Sequence, residues 1–223
     1  YGNVNTVRQD PKAKTVLYVG TEFGFFISGN EGENWVRFMP GLPVVRVDDV
    51  LVHPRDGDLV LATHGRSIYV MDDITPFHVL TEDMLADPVH LMTPRDAVRW
   101  KNDVRRARSV TGTKTWTGQN APEGTAIHYY LGAYAEGDVS ITITDPVSGE
   151  VFRTLEGPGD AGLNRVQWDL RGERPEGRQG GGGFGGNRTP VADPGVYKVT
   201  LTVAGTEYST MVNVLEDIWL DQR

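Results

Sequence analysis

Val7 to Ser28, VRQDPKAKTVLYVGTEFGFFIS, aligns without gaps on Val50 to Met71, VLVHPRDGDLVLATHGRSIYVM, at an offset of 43 residues. Self-similarity at a fixed period means that the chain repeats one small supersecondary unit. In both copies a short strand ends at Asp10-Pro11 or His53-Pro54, a polar turn follows, and two more strands come after it. Val16 to Val19, Phe25 to Ile27, Leu59 to Ala62 and Ile68 to Val70 are runs of β-branched, aromatic and aliphatic residues. Such continuous apolar strands fit sheets that are covered on both faces. The turn in the second copy, Pro54-Arg55-Asp56-Gly57, holds an Asp-Gly pair that tolerates positive φ.

A period of about 40 to 45 residues is that of β-propeller blades. Residues 1–78 are therefore expected to be two blade repeats. Closed propellers use about four to eight blades, so two cannot close a ring, and an open apolar edge is expected to be covered by a companion surface. The chain starts at Tyr1 without Met, so it is expected to be either a processed product or a piece of something longer, and the internal repeat pattern favours the second.

After the third strand of the first copy comes Ser28-Gly29-Asn30-Glu31-Gly32-Glu33-Asn34-Trp35. This segment resembles the Asp-box, or bacterial neuraminidase repeat, Ser-x-Asp-x-Gly-x-Thr-Trp. Ser28, Gly32 and Trp35 match; Asn30 and Asn34 stand where Asp and Thr are usual. The physics is that of a hairpin cap, in which short polar side chains bond the turn and glycine takes a conformation that other residues avoid. Leu17 to Gly24, Ala62 to Tyr69 and Met71 to Pro76 extend the likeness to the large sortilin-like propeller proteins of bacteria. That resemblance implies closing blades followed by a carboxy-terminal sandwich, and it is specific for fold rather than for activity.

Residues 79–122 read as a connector, with a helical turn capped by Thr81 and brief strands at Val89 to Met92 and Ala97 to Trp100. Alternation returns in residues 123–216, with strands at Ile127 to Leu131, Val139 to Asp145, Val151 to Leu155, Asn164 to Leu170, Gly195 to Val203 and Glu207 to Val214. Six strands at this spacing predict a β-sandwich. Asn164 to Leu170 and Asp193 to Tyr197 are similar to the immunoglobulin-like module of flagellar hook-capping proteins. The glycine-rich loop 177–186 is expected to be mobile, because ordering glycine costs the most entropy. Residues 217–223 form a tail. The fold class expected is all-β: the last blades of a propeller plus an immunoglobulin-like sandwich.

Composition narrows the function. A formal net charge of -8 repels a phosphate backbone, so nucleic acid is not an expected partner, and the short cluster Arg105-Arg106-Ala107-Arg108 reads as a solvated loop. No apolar run approaches the roughly 20 residues that span a bilayer. There is no cysteine and no HxxxH pair, so no metal or other cofactor is expected. Asp48-Asp49 and Asp72-Asp73 lack the spaced ligand series of a calcium loop.

Glu22, His64, Arg66, Asp72 and Asp73 are the polar residues nearest strand ends and form the candidate polar site for a sialidase-like glycosidase, which needs paired carboxylates at the mouth of a complete propeller. Their simpler reading is hairpin and blade-edge bonding. Phe25, Phe26, Trp116, Phe184 and Trp219 are candidate interface anchors. The expected function is noncatalytic binding or assembly outside the cytoplasm, with protein partners: the rest of a propeller or other subunits. The alternatives are the end of a propeller glycosidase and an accessory subunit on a membrane complex.

Overall fold

The computed structural model describes residues 2–101, 119–173 and 189–218, and the chain divides into two compact units, residues 1–86 and 87–223. Among the described residues regular structure is β, apart from a 3-10 turn at Thr75–His78 and a short helix, α1 (Glu82–Ala86). The glycine-rich loop, the Arg105 to Arg108 cluster, Trp116, Phe184 and Trp219 lie outside the described residues.

The first unit holds β1 (Val4–Gln9), β2 (Leu17–Thr21), β3 (Gly24–Ser28) and β4 (Val36–Arg37), an antiparallel meander in chain order. It continues with β5 (Val47–Val52), β6 (Leu59–Thr63) and β7 (Ile68–Met71), a second and shorter meander. The two are copies down to a shared irregularity. Pairing slips between Val4 and Thr6 in β1, and between Val47 and Asp49 in β5. A bulge bends its strand and increases the twist, so its recurrence after 43 residues marks the repeat in three dimensions.

The registers also correct the gapless alignment. Val7 faces Val19 and Val50 faces Leu61, so β2 maps onto β6 at an offset of 42. Leu17 faces Ser28 and Leu59 faces Met71, which restores an offset of 43 for β3 and β7. The second copy therefore has a turn one residue shorter after Val52 and a hairpin one residue longer after Thr63.

One core joins the two sheets. Tyr18, Phe25 and Ile27 enter it from the first; Val47, Val50, Leu59 and Leu61 enter from the second; Val16, Leu42, Val45 and Ile74 complete it. The approach of β5 to β2 depends on Gly20, where a Cβ would lie 2.8 Å from Val47 Cγ1 and 2.9 Å from the Val47 carbonyl oxygen. Any side chain there would push the sheets apart.

The second unit contains β8 (Val89–Leu91), β9 (Ala97–Arg99), β10 (Thr125–Leu131), β11 (Val139–Thr144), β12 (Val151–Gly157), β13 (Gly162–Trp168), β14 (Gly195–Val203) and β15 (Thr206–Glu216). They form one sheet ordered β13-β10-β8 and another ordered β12-β11-β14-β15-β9, antiparallel except where β9 runs parallel to β15. Ile127, Tyr129, Leu131 and Trp168 from the first sheet share a core with Ile141, Ile143, Val199, Leu201, Val212 and Val214 from the second. Strict alternation achieves this: in β11 every second residue is buried. β14 and β15 are joined through Ala204 and Gly205, both at positive φ (48° and 81°), a conformation whose twist matches a tight hairpin. β8 and β9, in the stretch read from sequence as a connector, enter the two sheets one each.

Candidate functional site

The polar candidates do not gather. Glu22 accepts from the Asn3 backbone N–H at 3.2 Å and from Asn3 Nδ2 at 3.3 Å. His64 Nδ1 lies 3.2 Å from Asp48 Oδ2, and Arg46 Nε donates to Asp48 Oδ1 at 2.6 Å. Desolvation raises the Asp48 carboxyl, but Arg46 and His64 outweigh it and hold it below the usual range. Arg66 is exposed on the same hairpin as His64. Asp73 is buried, accepts from the Thr75 backbone N–H at 3.1 Å and from Thr75 Oγ1 at 2.5 Å, and donates its own N–H to Asp58 Oδ1 at 3.0 Å. Asp72 is its half-buried neighbour.

β7 runs between the two groups. Glu22, His64 and Arg66 therefore sit at the hairpin end of their sheets, whereas Asp72 and Asp73 sit at the other end, about 13 Å away along the strand. These carboxylates serve turns and do not face one another across a cleft. Among the described residues no group of three or more His, Asp or Glu side chains is placed to hold a metal ion.

Sequence reasoning missed the best-built polar cluster. Asp10 is buried at the end of β1, and its Oδ1 accepts from the backbone N–H groups of Lys12 at 2.7 Å and Ala13 at 2.9 Å. Its Oδ2 accepts from the Tyr18 hydroxyl at 2.8 Å and lies 3.0 Å from His78 Nε2. Desolvation raises the Asp10 carboxyl, yet these four partners outweigh it and hold it below the usual range. Desolvation, followed by the bond to Asp10, pushes the Tyr18 hydroxyl far upward. The Asp-Pro turn was a visible signal; the arrival of His78 from 68 residues away was not.

The Ser28 to Trp35 turn is held as its residue types suggest. Ser28 Oγ accepts from the Gly32 N–H at 2.9 Å and the Asn30 N–H at 3.3 Å, while Asn30 Oδ1 accepts from the Asn34 N–H at 2.9 Å. Gly32 has φ of 92°, a conformation that favours glycine. The Trp35 ring lies beside it and keeps an exposed face.

Equivalent faces of the two meanders differ in exposure. In the first meander Tyr18 pairs with Ile27 and Gly20 with Phe25 on the face that the second meander covers, and Tyr18, Phe25 and Ile27 are 0 %, 1 % and 8 % exposed. The equivalent residues of the second meander are Val60, Ala62, Ile68 and Val70, with Leu51 in place of Arg8. There Leu51, Ile68 and Val70 are 57 %, 64 % and 57 % exposed. The opposite face mirrors this. Val47 and Val50 are buried by the first meander, whereas their counterparts Val4 and Val7 are exposed. Each meander thus has an upper and a lower face; away from their contact, Leu51, Ile68 and Val70 are exposed on the second meander, and Val4 and Val7 on the first, where Val19, opposite Val7, is buried. Of the candidate anchors, Phe25 is spent inside this core and Phe26 is half-buried on the other face of β3.

No family model matches the chain, and no curated protein matches it. Among solved structures, the extracellular domain of BT4673 from B. thetaiotaomicron, described as a hybrid two component system, is similar over 96% of this chain and 25% of that chain, at 8% identity and a TM-score of 0.26. The chain thus spans a quarter of that protein's length, and at this TM-score the likeness carries no functional weight. Among the described residues no helix is long and apolar enough to cross a membrane.

Proposed function

We propose that this chain is a noncatalytic binding and assembly module that works outside the cytoplasm, its first unit being two blades of a β-propeller and its second an immunoglobulin-like sandwich. The carrying observation is the mismatch between equivalent faces: what the second meander does for Phe25 and Ile27, nothing described does for their counterparts Ile68 and Val70. Soluble proteins rarely leave a contiguous apolar sheet face open unless it is an interaction site. The Asp-box reading draws support from the Ser28 and Asn30 bonds to their own turn. The immunoglobulin-like reading draws support from Trp168 packed 5.4 Å from Tyr197, whose hydroxyl donates to the Asp193 carbonyl. The division of the polar candidates between two strand ends argues against the glycosidase alternative.

The test is the double variant Leu51→Asp with Val70→Asp in the assembly isolated from its natural source. Both side chains are exposed, so the isolated variant is expected to fold with an unchanged circular dichroism spectrum and to drop out of the assembly. Retention of the folded variant at full occupancy overturns the reading.

A further inference from the structure

The two meanders differ in one element. β3 is closed on its outer side by β4, through the pairs Phe26 with Arg37 and Ile27 with Val36, and the Phe38 N–H donates to the Phe25 carbonyl at 2.9 Å. The residues that match Val36 and Arg37 at the same offset are Val79 and Leu80. They leave β7 for the 3-10 turn, where the Val79 N–H donates to the Pro76 carbonyl and the Thr81 N–H to the Val79 carbonyl. Among the described residues β6 is the one strand neighbour of β7.

The ladder shows which groups this leaves. The Thr63 N–H donates to the Ser67 carbonyl at 3.2 Å. Because antiparallel partners alternate between bonded and non-bonded pairs, Tyr69 and Met71 also spend their backbone groups on β6, and Ile68 and Val70 aim theirs outward. The same alternation turns Phe25 and Ile27 outward in the first copy, where Phe38 and Val36 meet them.

We propose that the free edge of β7 is a strand-addition site. It takes one extended antiparallel segment of the partner polypeptide, with a β-branched apolar residue opposite Val70 and a long basic residue opposite Tyr69. Val36 and Arg37 present this arrangement to Ile27 and Phe26, so the added strand continues a pairing already present in the chain. The proposal rests on the assembly reading and names the contact by which the partner is held. β7 also lacks the devices that keep an edge unpaired: between Ile68 and Met71 there is no charge, no proline and no bulge. The opposite edge strand of the same sheet, β5, has Asp48, Asp49 and a bulge. Backbone bonds supply the affinity in such additions, and alternate side chains the selectivity.

The test uses the whole chain, with a synthetic peptide copying residues 33–40 (ENWVRFMP), which holds β4, as the probe. Amide hydrogen exchange is read residue by residue. In the chain alone the Val70 amide is expected to exchange at least about tenfold faster than that of Ile27, and saturating peptide to slow Ile68 and Val70 by about tenfold while Tyr69 is unchanged. The same peptide N-methylated at Val36 is expected to do neither, since it lacks the donor. A Val70 amide already slow in the free chain, no slowing by the peptide, or equal slowing by the N-methylated form overturns the proposal. Protection that grows with protein concentration alone means that β7 pairs with a second copy, and also overturns it. The measurement is made on the isolated chain, so its failure leaves the assembly reading standing.

Discussion

Ile27 and Val70 hold the same position in the two repeats, yet Ile27 is 8 % exposed and Val70 57 %. Both are β-branched aliphatics, so the difference comes from what lies over them. Burial of apolar surface contributes about 25 cal/mol per Å². The first meander realises that contribution inside the unit; at Val70 the second does not realise it among the described residues.

This asymmetry sets the outcome of paired substitutions. Ile27→Ala is expected to cost about 2–4 kcal/mol, because it opens a cavity between the sheets. Val70→Ala is expected to stay within about 0.5 kcal/mol in the isolated chain. Urea unfolding followed by the amide signals of β2 and β3 checks both. Comparable losses would mean that Val70 is covered within the chain.

Asp10 makes the first unit sensitive to acid. Its carboxyl titrates below the usual range when folded and near about 3.9 when unfolded, so the unfolded chain binds the proton more readily. The stability that it contributes is present above the unfolded value and is lost as pH falls through the folded one. The urea midpoint of the first unit is expected to drop below about pH 4. Asp10→Asn is expected to flatten that limb and to cost about 1–3 kcal/mol at neutral pH, since the amide cannot accept from all four partners. An unchanged acid limb in Asp10→Asn would contradict the assignment.

The Ser28 turn yields a local prediction. Ser28→Ala removes the acceptor shared by the Asn30 and Gly32 amides and is expected to cost about 1–2 kcal/mol. Asn30→Asp keeps the oxygen that accepts from Asn34 and is expected to be neutral or stabilising. Exchange rates of the Gly32 and Asn34 amides distinguish the two variants: faster in the first, unchanged in the second.

In the second unit the decisive backbone position is Gly124. It has φ of 85°, and a Cβ there would lie 1.9 Å from the Trp168 carbonyl oxygen. Gly124→Ala is expected to cost roughly 3–5 kcal/mol and to disturb Trp168 at the centre of the core. Near-ultraviolet circular dichroism reads this directly, and a native spectrum with native stability would contradict it.

The repeat was legible because β-branched strands and Asp-Pro, His-Pro and Asp-Gly turns are local signals, and they recur. The compensating one-residue shifts on either side of β6 were not, because a gapless alignment matches apolar residues equally well when one turn shortens and the next hairpin lengthens. Which face of each strand is covered was also hidden: Leu17-Tyr18-Val19 and Leu59-Val60-Leu61 are apolar on both sides, so alternation does not mark the core. β14 was easier to read, since Tyr197, Val199, Leu201 and Val203 alternate inward. The parallel docking of β9 on β15 and the meeting of Asp10 with His78 depend on contacts far apart in sequence, which local pattern does not encode.

The most direct measurement is thiol labelling of Val70→Cys. The chain has no cysteine of its own, so the label reports this position alone. The account predicts that the thiol reacts at least about tenfold more slowly in the native assembly than in the isolated chain, as a surface that a partner has dried and closed. Equal rates in the two states would contradict it.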